Sequence, residues 1–70
     1  MQIQHIRDNK GKSLGTIEED YNGRFTARNP QGLALAHYYP KENRTRDTSG
    51  RSLVEGNILA AVIMASHLQE

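Results

Sequence analysis

Apolar and polar positions alternate along most of the chain, and only the last stretch changes period. Leu33, Leu35, His37 and Tyr39 fall on one side of an extended strand, and Ala34, Ala36 and Tyr38 fall on the other. Phe25 and Ala27 alternate in the same way with Arg24, Thr26 and Arg28. The first segments are less clean: Ile3 and Ile6 have opposite parity, as do Leu14 and Ile17. A β-bulge near Gly15 would repair that register. Breaks in the alternation predict six short strands, over residues 2–7, 12–18, 24–28, 33–39, 44–46 and 51–54. From Gly56 the spacing becomes helical. Asn57 is a suitable N-cap, and a helix of roughly three turns runs from Ile58 to about Leu68. Ile58, Leu59, Val62 and Ile63 form one broad apolar face, and Ala61, Met64 and Leu68 form a second stripe.

The corners between the strands repeat. Arg7-Asp8-x-x-Gly11-x-Ser13-Leu14 recurs as Arg28-Asn29-x-x-Gly32-x-Ala34-Leu35 and as Arg46-Asp47-x-x-Gly50-x-Ser52-Leu53. Asp or Asn opening a tetrapeptide that Gly closes is the pattern of a type I turn followed by a left-handed residue, a tight hairpin corner. Pro30 occupies the second turn position, where its fixed φ fits. Asp20-Tyr21-Asn22-Gly23 reads as a further corner, and its Asn-Gly pair is a strong hairpin signal. Connections this short force antiparallel neighbours in sequence order. The expected fold is therefore α+β: an antiparallel β-meander of five to six short strands, built on three repeated hairpins, with one C-terminal α-helix packed on the sheet. The chain forms a single domain, with the meander over residues 1–55 and the helix over 56–70. Leu14, Ile17, Phe25, Leu33, Leu35, Leu53 and Val54 are the expected sheet partners of Ile58, Leu59, Val62 and Ile63.

Composition narrows the function. Only 36% of the 70 residues are hydrophobic, so the core is small, and there is no cysteine for a disulfide or thiolate metal site. A cysteine-free chain fits a reducing cytoplasm. The N-terminus lacks the apolar run of a signal peptide, and the stretch 58–65 falls well short of the roughly 20 residues a membrane span needs. No membrane association is expected. His5, His37 and His67 lie on different elements without metal-ligand spacing, and neither a nucleophile elbow nor a phosphate-binding glycine motif is present. The acidic run Glu18-Glu19-Asp20 reads as a solvated corner. The chain is read as non-enzymatic, with no cofactor.

Charge is unevenly laid out. Residues 1–23 set three cations against four carboxylates, a net of −1; residues 24–51 set six against two, a net of +4; residues 52–70 carry two carboxylates, a net of −2. Five of the six middle cations are arginines, suited to bidentate contact with phosphate or carboxylate. Arg7, Arg28 and Arg46 share one repeat position, so bracing the hairpins accounts for them without a ligand. Arg24, Arg44, Arg51 and Lys41, with Tyr38 and Tyr39 as stacking rings, are the candidates for contact with nucleic acid or an acidic partner. The helix carries no Lys or Arg and cannot read a major groove. Because it is apolar around most of its circumference, it needs cover on more than one side. The sequence thus favours a small protein-interaction or assembly module acting through the helix and sheet surface. Ala61, Met64 and Leu68 form its interface, and the partner is a second copy of the chain (a homodimer) or another protein. The alternative is a nucleic-acid-binding accessory protein using the segment 24–51.

The string Gly32-x-x-Leu35-Ala36-x-Tyr38, followed by Asn43-x-Thr45-x-Asp47-x-x-Gly50-Arg51-x-Leu53-Val54-x-Gly56-Asn57-x-Leu59, resembles small bacterial and phage-associated proteins with Asp-x-x-Gly hairpin repeats. The Asp-x-x-Gly-Arg unit is also similar to Rhs-type YD repeats. The resemblance covers about half the chain and implies a bacterial or mobile-element origin. It carries no activity or catalytic residue with it.

Overall fold

The computed structural model describes residues 3–68. Six strands follow one another, β1 (Ile3–Arg7), β2 (Ser13–Glu19), β3 (Phe25–Arg28), β4 (Ala34–Tyr39), β5 (Arg44–Asp47) and β6 (Ser52–Glu55), and a helix α1 (Leu59–Leu68) closes the chain. The strands form one antiparallel sheet in the order β1-β2-β3-β4-β5-β6, the meander expected from the short connections.

The repeated corners adopt one geometry. In each, the backbone N–H of the glycine donates to the carbonyl of the opening Asp or Asn: Gly11 to Asp8, Gly32 to Asn29 and Gly50 to Asp47. The opening residue's own N–H reaches across to Lys12, Leu33 or Arg51. Asp20-Tyr21-Asn22-Gly23 makes the same two bonds, to Arg24 and from Gly23 to Asp20. It is a fourth copy of this turn, at the corner the sequence placed between β2 and β3. All four closing glycines have φ between +84° and +92°, a region costly for side-chain-bearing residues. The Asp side chains complete the corners: Asp8 Oδ1 accepts from the N–H groups of Lys10 and Lys12, both at 2.9 Å, and Asp47 Oδ1 accepts from Ser49 and Arg51.

The three full repeats also share a bulge. Ile6 faces Gly15 while Arg7 faces Ser13, so Leu14 is the extra residue. Leu35 and Leu53 are skipped in the same way, between the pairs Ala27–Ala36 and Arg28–Ala34, and Thr45–Val54 and Arg46–Ser52. The bulge lets Leu14 join Ile17 in the core despite their opposite parity. Ile3 stays exposed.

Helix α1 lies across β2, β3 and β4 on one face of the sheet. Its buried residues Leu59 and Ile63 meet Leu14, Ala27 and Ala36, with Ile6, Ile17, Phe25, Leu35, Tyr38 and Val62 packed around them. The helix crosses where the side chains are smallest: Gly15 on β2 and the Ala27–Ala36 pair across β3 and β4. A Cβ on Gly15 would strike the Arg28 carbonyl and stand 3.1 Å from Ile63 Cγ2. Two of the expected sheet partners, Leu53 and Val54, lie on the edge strand β6, beyond the helix, and are exposed. A third, Leu33, precedes β4 in the turn and is 66% exposed. The two alanines take the place these larger residues were expected to hold.

The helix start is tied to β5. Thr45, fully buried, donates its hydroxyl to the Gly56 carbonyl at 2.6 Å and accepts from the Ile58 N–H at 3.2 Å. Asn57 Oδ1 accepts from the Leu59 N–H, the N-cap expected from the sequence. Thr45 stands at the repeat position that the other copies fill with Ile6 and Ala27. The copy nearest the helix start has exchanged an apolar side chain for a two-way hydrogen bond.

Candidate functional site

Two surfaces remain uncovered. The first is the outward side of α1. Leu59 and Ile63 turn towards the sheet, so Ala60, Ala61, Met64, Ala65 and Leu68 face away and are exposed. Ala61, Met64 and Leu68, grouped from the sequence as the interface stripe, do share this side. The helix contains no Asp, Glu, Lys or Arg, and Met64 is 53% and Leu68 82% exposed. Three alanines beside them leave the backbone open to close approach.

The second surface is the opposite face of the sheet. Register places Glu18, Thr26, His37 and Arg46 in one row across β2 to β5. In the next row Tyr39 of β4 faces Arg44, which in turn faces Glu55. Arg24, one residue before β3, is oriented by Asp20: its Nε donates to Asp20 Oδ2 at 3.1 Å. The Tyr39 phenol is the main neighbour favouring charge on Arg24, with Asp20 acting in the same direction against the cost of desolvation. Thr26 Oγ1 and His37 Nδ1 are 3.0 Å apart. Partial burial pushes the His37 imidazole below its ordinary pKa, Arg24 and Arg28 add to the shift, and Asp20 opposes it. The His37 and Tyr39 rings stand 6.4 Å apart.

The repeat arginines are committed to structure. Arg28 Nε donates to Glu18 Oε1 at 2.8 Å and Arg46 Nε to Glu42 Oε1 at 3.1 Å. Each sends Nη1 to the carbonyl of its own turn glycine, Arg28 to Gly32 at 2.9 Å and Arg46 to Gly50 at 3.0 Å, and Arg7 reaches Gly11 at 3.4 Å. This is the bracing role that their shared repeat position suggested. The acidic run is divided: Glu18 pairs with Arg28 on the open face, while Asp20 belongs to the turn.

The sequence candidates for nucleic-acid contact separate accordingly. Arg24, Arg44 and Tyr39 share the open face. Tyr38 points the other way and packs beside Phe25 under the helix side, with ring centroids 6.2 Å apart. Arg51 sits in the β5–β6 turn and Lys41 in the β4–β5 turn, at opposite ends of the sheet. Thr26 and His37, absent from the sequence candidates, occupy the centre of this face. Strand parity alone puts His37 with Tyr39; only pairing puts it between the arginines. A cleft of about 360 Å³ opens at the Tyr39 end, between the β2–β3 and β4–β5 turns, and is lined by Asn22, Gly23, Arg24, Tyr39, Pro40, Lys41 and Glu42. Among the described residues Lys41 has no ion-pair partner, and no group of three or more His, Asp or Glu converges as a metal site. No described helix is long and apolar enough to cross a membrane. Comparison with known protein families, curated proteins and solved structures finds no match.

Proposed function

We propose that the chain is a small non-enzymatic interaction or assembly module whose working surface is the outward side of α1, and whose first partner is a second copy of itself. The observation behind this reading is the uncharged, exposed stripe Ala61, Met64 and Leu68 on a chain otherwise rich in charge. An isologous pairing brings like against like, and a face without charge meets no repulsion from its own copy. The alanines allow helices to approach closely, and Met64 adapts its shape to the opposing surface. A ten-residue helix is about 15 Å long. One side of so short a helix cannot by itself bury the roughly 800 Å² per partner that stable complexes bury, so the association is concentration-dependent. A cytoplasmic setting and a bacterial or mobile-element origin belong to the same proposal, supported by the absence of cysteine and by the repeat string.

Sedimentation equilibrium over a wide concentration range tests the proposal. The wild-type chain is expected to show a mass rising with concentration, and Met64→Glu or Leu68→Glu to hold it at the monomer while the circular dichroism spectrum is unchanged. A wild-type mass constant at the monomer value, with nuclease-resistant capture of another protein that Met64→Glu abolishes, would move the partner from self to non-self. A constant mass without such capture would refute the proposal.

A further inference from the structure

We propose that the open face of the sheet, at His37, Tyr39 and the cleft beside them, binds single-stranded nucleic acid. This surface lies on the side of the sheet away from α1 and does not depend on the assembly proposed above.

Three observations converge. First, His37 and Tyr39 lie two residues apart on the central strand β4, side by side on the uncovered face, with ring centroids 6.4 Å apart and planes inclined at 60°. That separation is too wide for the two rings to stack on each other. It suits two neighbouring bases that are splayed apart, one against each ring, as happens when unpaired strands lie on sheet surfaces. Second, the 360 Å³ cleft begins at Tyr39 and is walled by Pro40 and Gly23, with Asn22, Arg24, Lys41 and Glu42 around it, space for one flat base. Third, the cations sit where a backbone leaving that slot would pass: Lys41 and Arg24 line it, and Arg44 stands beside Tyr39 in register. Of the nearby carboxylates, Asp20 pairs with Arg24 and Glu42 with Arg46, while Glu55 stands opposite Arg44 in register.

The same geometry selects single strands over duplex. A six-stranded sheet face is too broad to enter a groove that admits at most a helix or a two-stranded ribbon, and the helix has no Lys or Arg to do so. Stacking needs bases freed from their partners. Three cations, of which Arg24 is paired with Asp20 and Arg44 faces Glu55 across the strands, predict a modest salt dependence, with log affinity falling against log salt with a slope of about −2 or shallower.

The test is fluorescence anisotropy of labelled oligothymidylate, oligouridylate and a short DNA duplex with the full chain, across a salt series. Binding to the single strands and not to the duplex is expected, and the two single strands separate DNA from RNA as the source. Tyr39→Ala should weaken binding about ten-fold. Lys41→Ala, at an exposed turn where folding is not at stake, should make the salt slope shallower by about 0.7. Met64→Glu should leave the affinity unchanged, so failure here and failure of the helix-mediated assembly are distinguishable. Absence of single-strand binding at low salt, equal binding to duplex, equal binding to polyglutamate, or affinity unaltered by both Tyr39→Ala and Lys41→Ala would each overturn the proposal.

Discussion

Replacing Thr45 by valine removes one oxygen and keeps the shape of the side chain, so it isolates what the Thr45 hydroxyl does. In the native fold that oxygen serves the Gly56 carbonyl at 2.6 Å and the Ile58 N–H at 3.2 Å, and the side chain is fully buried. Valine leaves both backbone groups without this partner at the point where the chain leaves the sheet for the helix. A buried polar group stripped of its hydrogen bond costs about 1–3 kcal/mol. Two such groups, both only partly buried, bring the expected loss to about 2–4 kcal/mol. A chain of this length has a total stability of roughly 4–10 kcal/mol, so the change consumes a large share of it. At about 4–8 °C per kcal/mol for a domain of this size, the melting temperature should fall by more than about 8 °C. Thr45→Ser is the control: it keeps both bonds, deletes one methyl and should cost about 1 kcal/mol. Urea denaturation followed at the helix band by circular dichroism measures both variants. If Thr45→Val unfolds within about 0.5 kcal/mol of the wild type, a range typical of inert surface changes, the hydroxyl does not hold the helix start and the reasoning fails.

Other consequences can be measured on the same chain. Gly15→Ala should destabilise by about 2 kcal/mol or more, because its Cβ meets the Arg28 carbonyl and crowds Ile63 at a φ of +153°; a neutral melting curve would show that the helix can lift without cost. Ile63→Ala should cost about 2–5 kcal/mol as a cavity mutation, whereas Met64→Ala on the outer side should be near neutral; equal costs would contradict the burial pattern. Asp8, Asp20 and Asp47 are all held below the usual carboxylate range. Backbone N–H donors, the Lys12 N–H foremost, lower Asp8; N–H donors and Arg24 outweigh desolvation at Asp20; the Ser49 hydroxyl and the Arg51 N–H lower Asp47. A depressed carboxylate stabilises the fold above its unfolded pKa, and that contribution is lost as pH falls through the folded value. Thermal midpoints should therefore drop below about pH 4, and replacing all three residues by Asn should flatten that acid limb. His37 has the same sign of linkage: its folded pKa is depressed, so the fold prefers the neutral ring and should weaken as pH falls below about 6.5 towards the lowered folded value. His37→Gln should remove that slope, and an unchanged profile would place the titration elsewhere.

Local rules, read from the sequence, were enough for the strands and corners. Asp-x-x-Gly tetrapeptides dictate a turn through side-chain acceptors and a left-handed glycine, both properties of four or five consecutive residues, and short turns dictate a meander. The N-cap at Asn57 and the apolar circumference of α1 are local in the same sense. So is the bracing role of Arg7, Arg28 and Arg46, whose turn contacts span four residues. The fourth corner, Asp20–Gly23, lacks the flanking repeat residues, yet its Asp-x-x-Gly pattern alone produces the same turn.

What the tertiary structure decided is which side of each strand the helix covers, and where it crosses. A helix packs where the sheet lets it approach, and that depends on where small residues fall, Gly15 on β2 and the Ala27–Ala36 pair across β3 and β4. Hydrophobicity favoured Leu33, Leu53 and Val54 as partners, but one lies in a turn and two on an edge strand the short helix does not reach. The same placement divided Tyr38 from Tyr39, and strand pairing gathered Thr26 and His37 between arginines far apart in the chain. Periodicity fixes which residues share a side of one strand; only the packed fold fixes which of the two sides becomes core and which stays open to a partner.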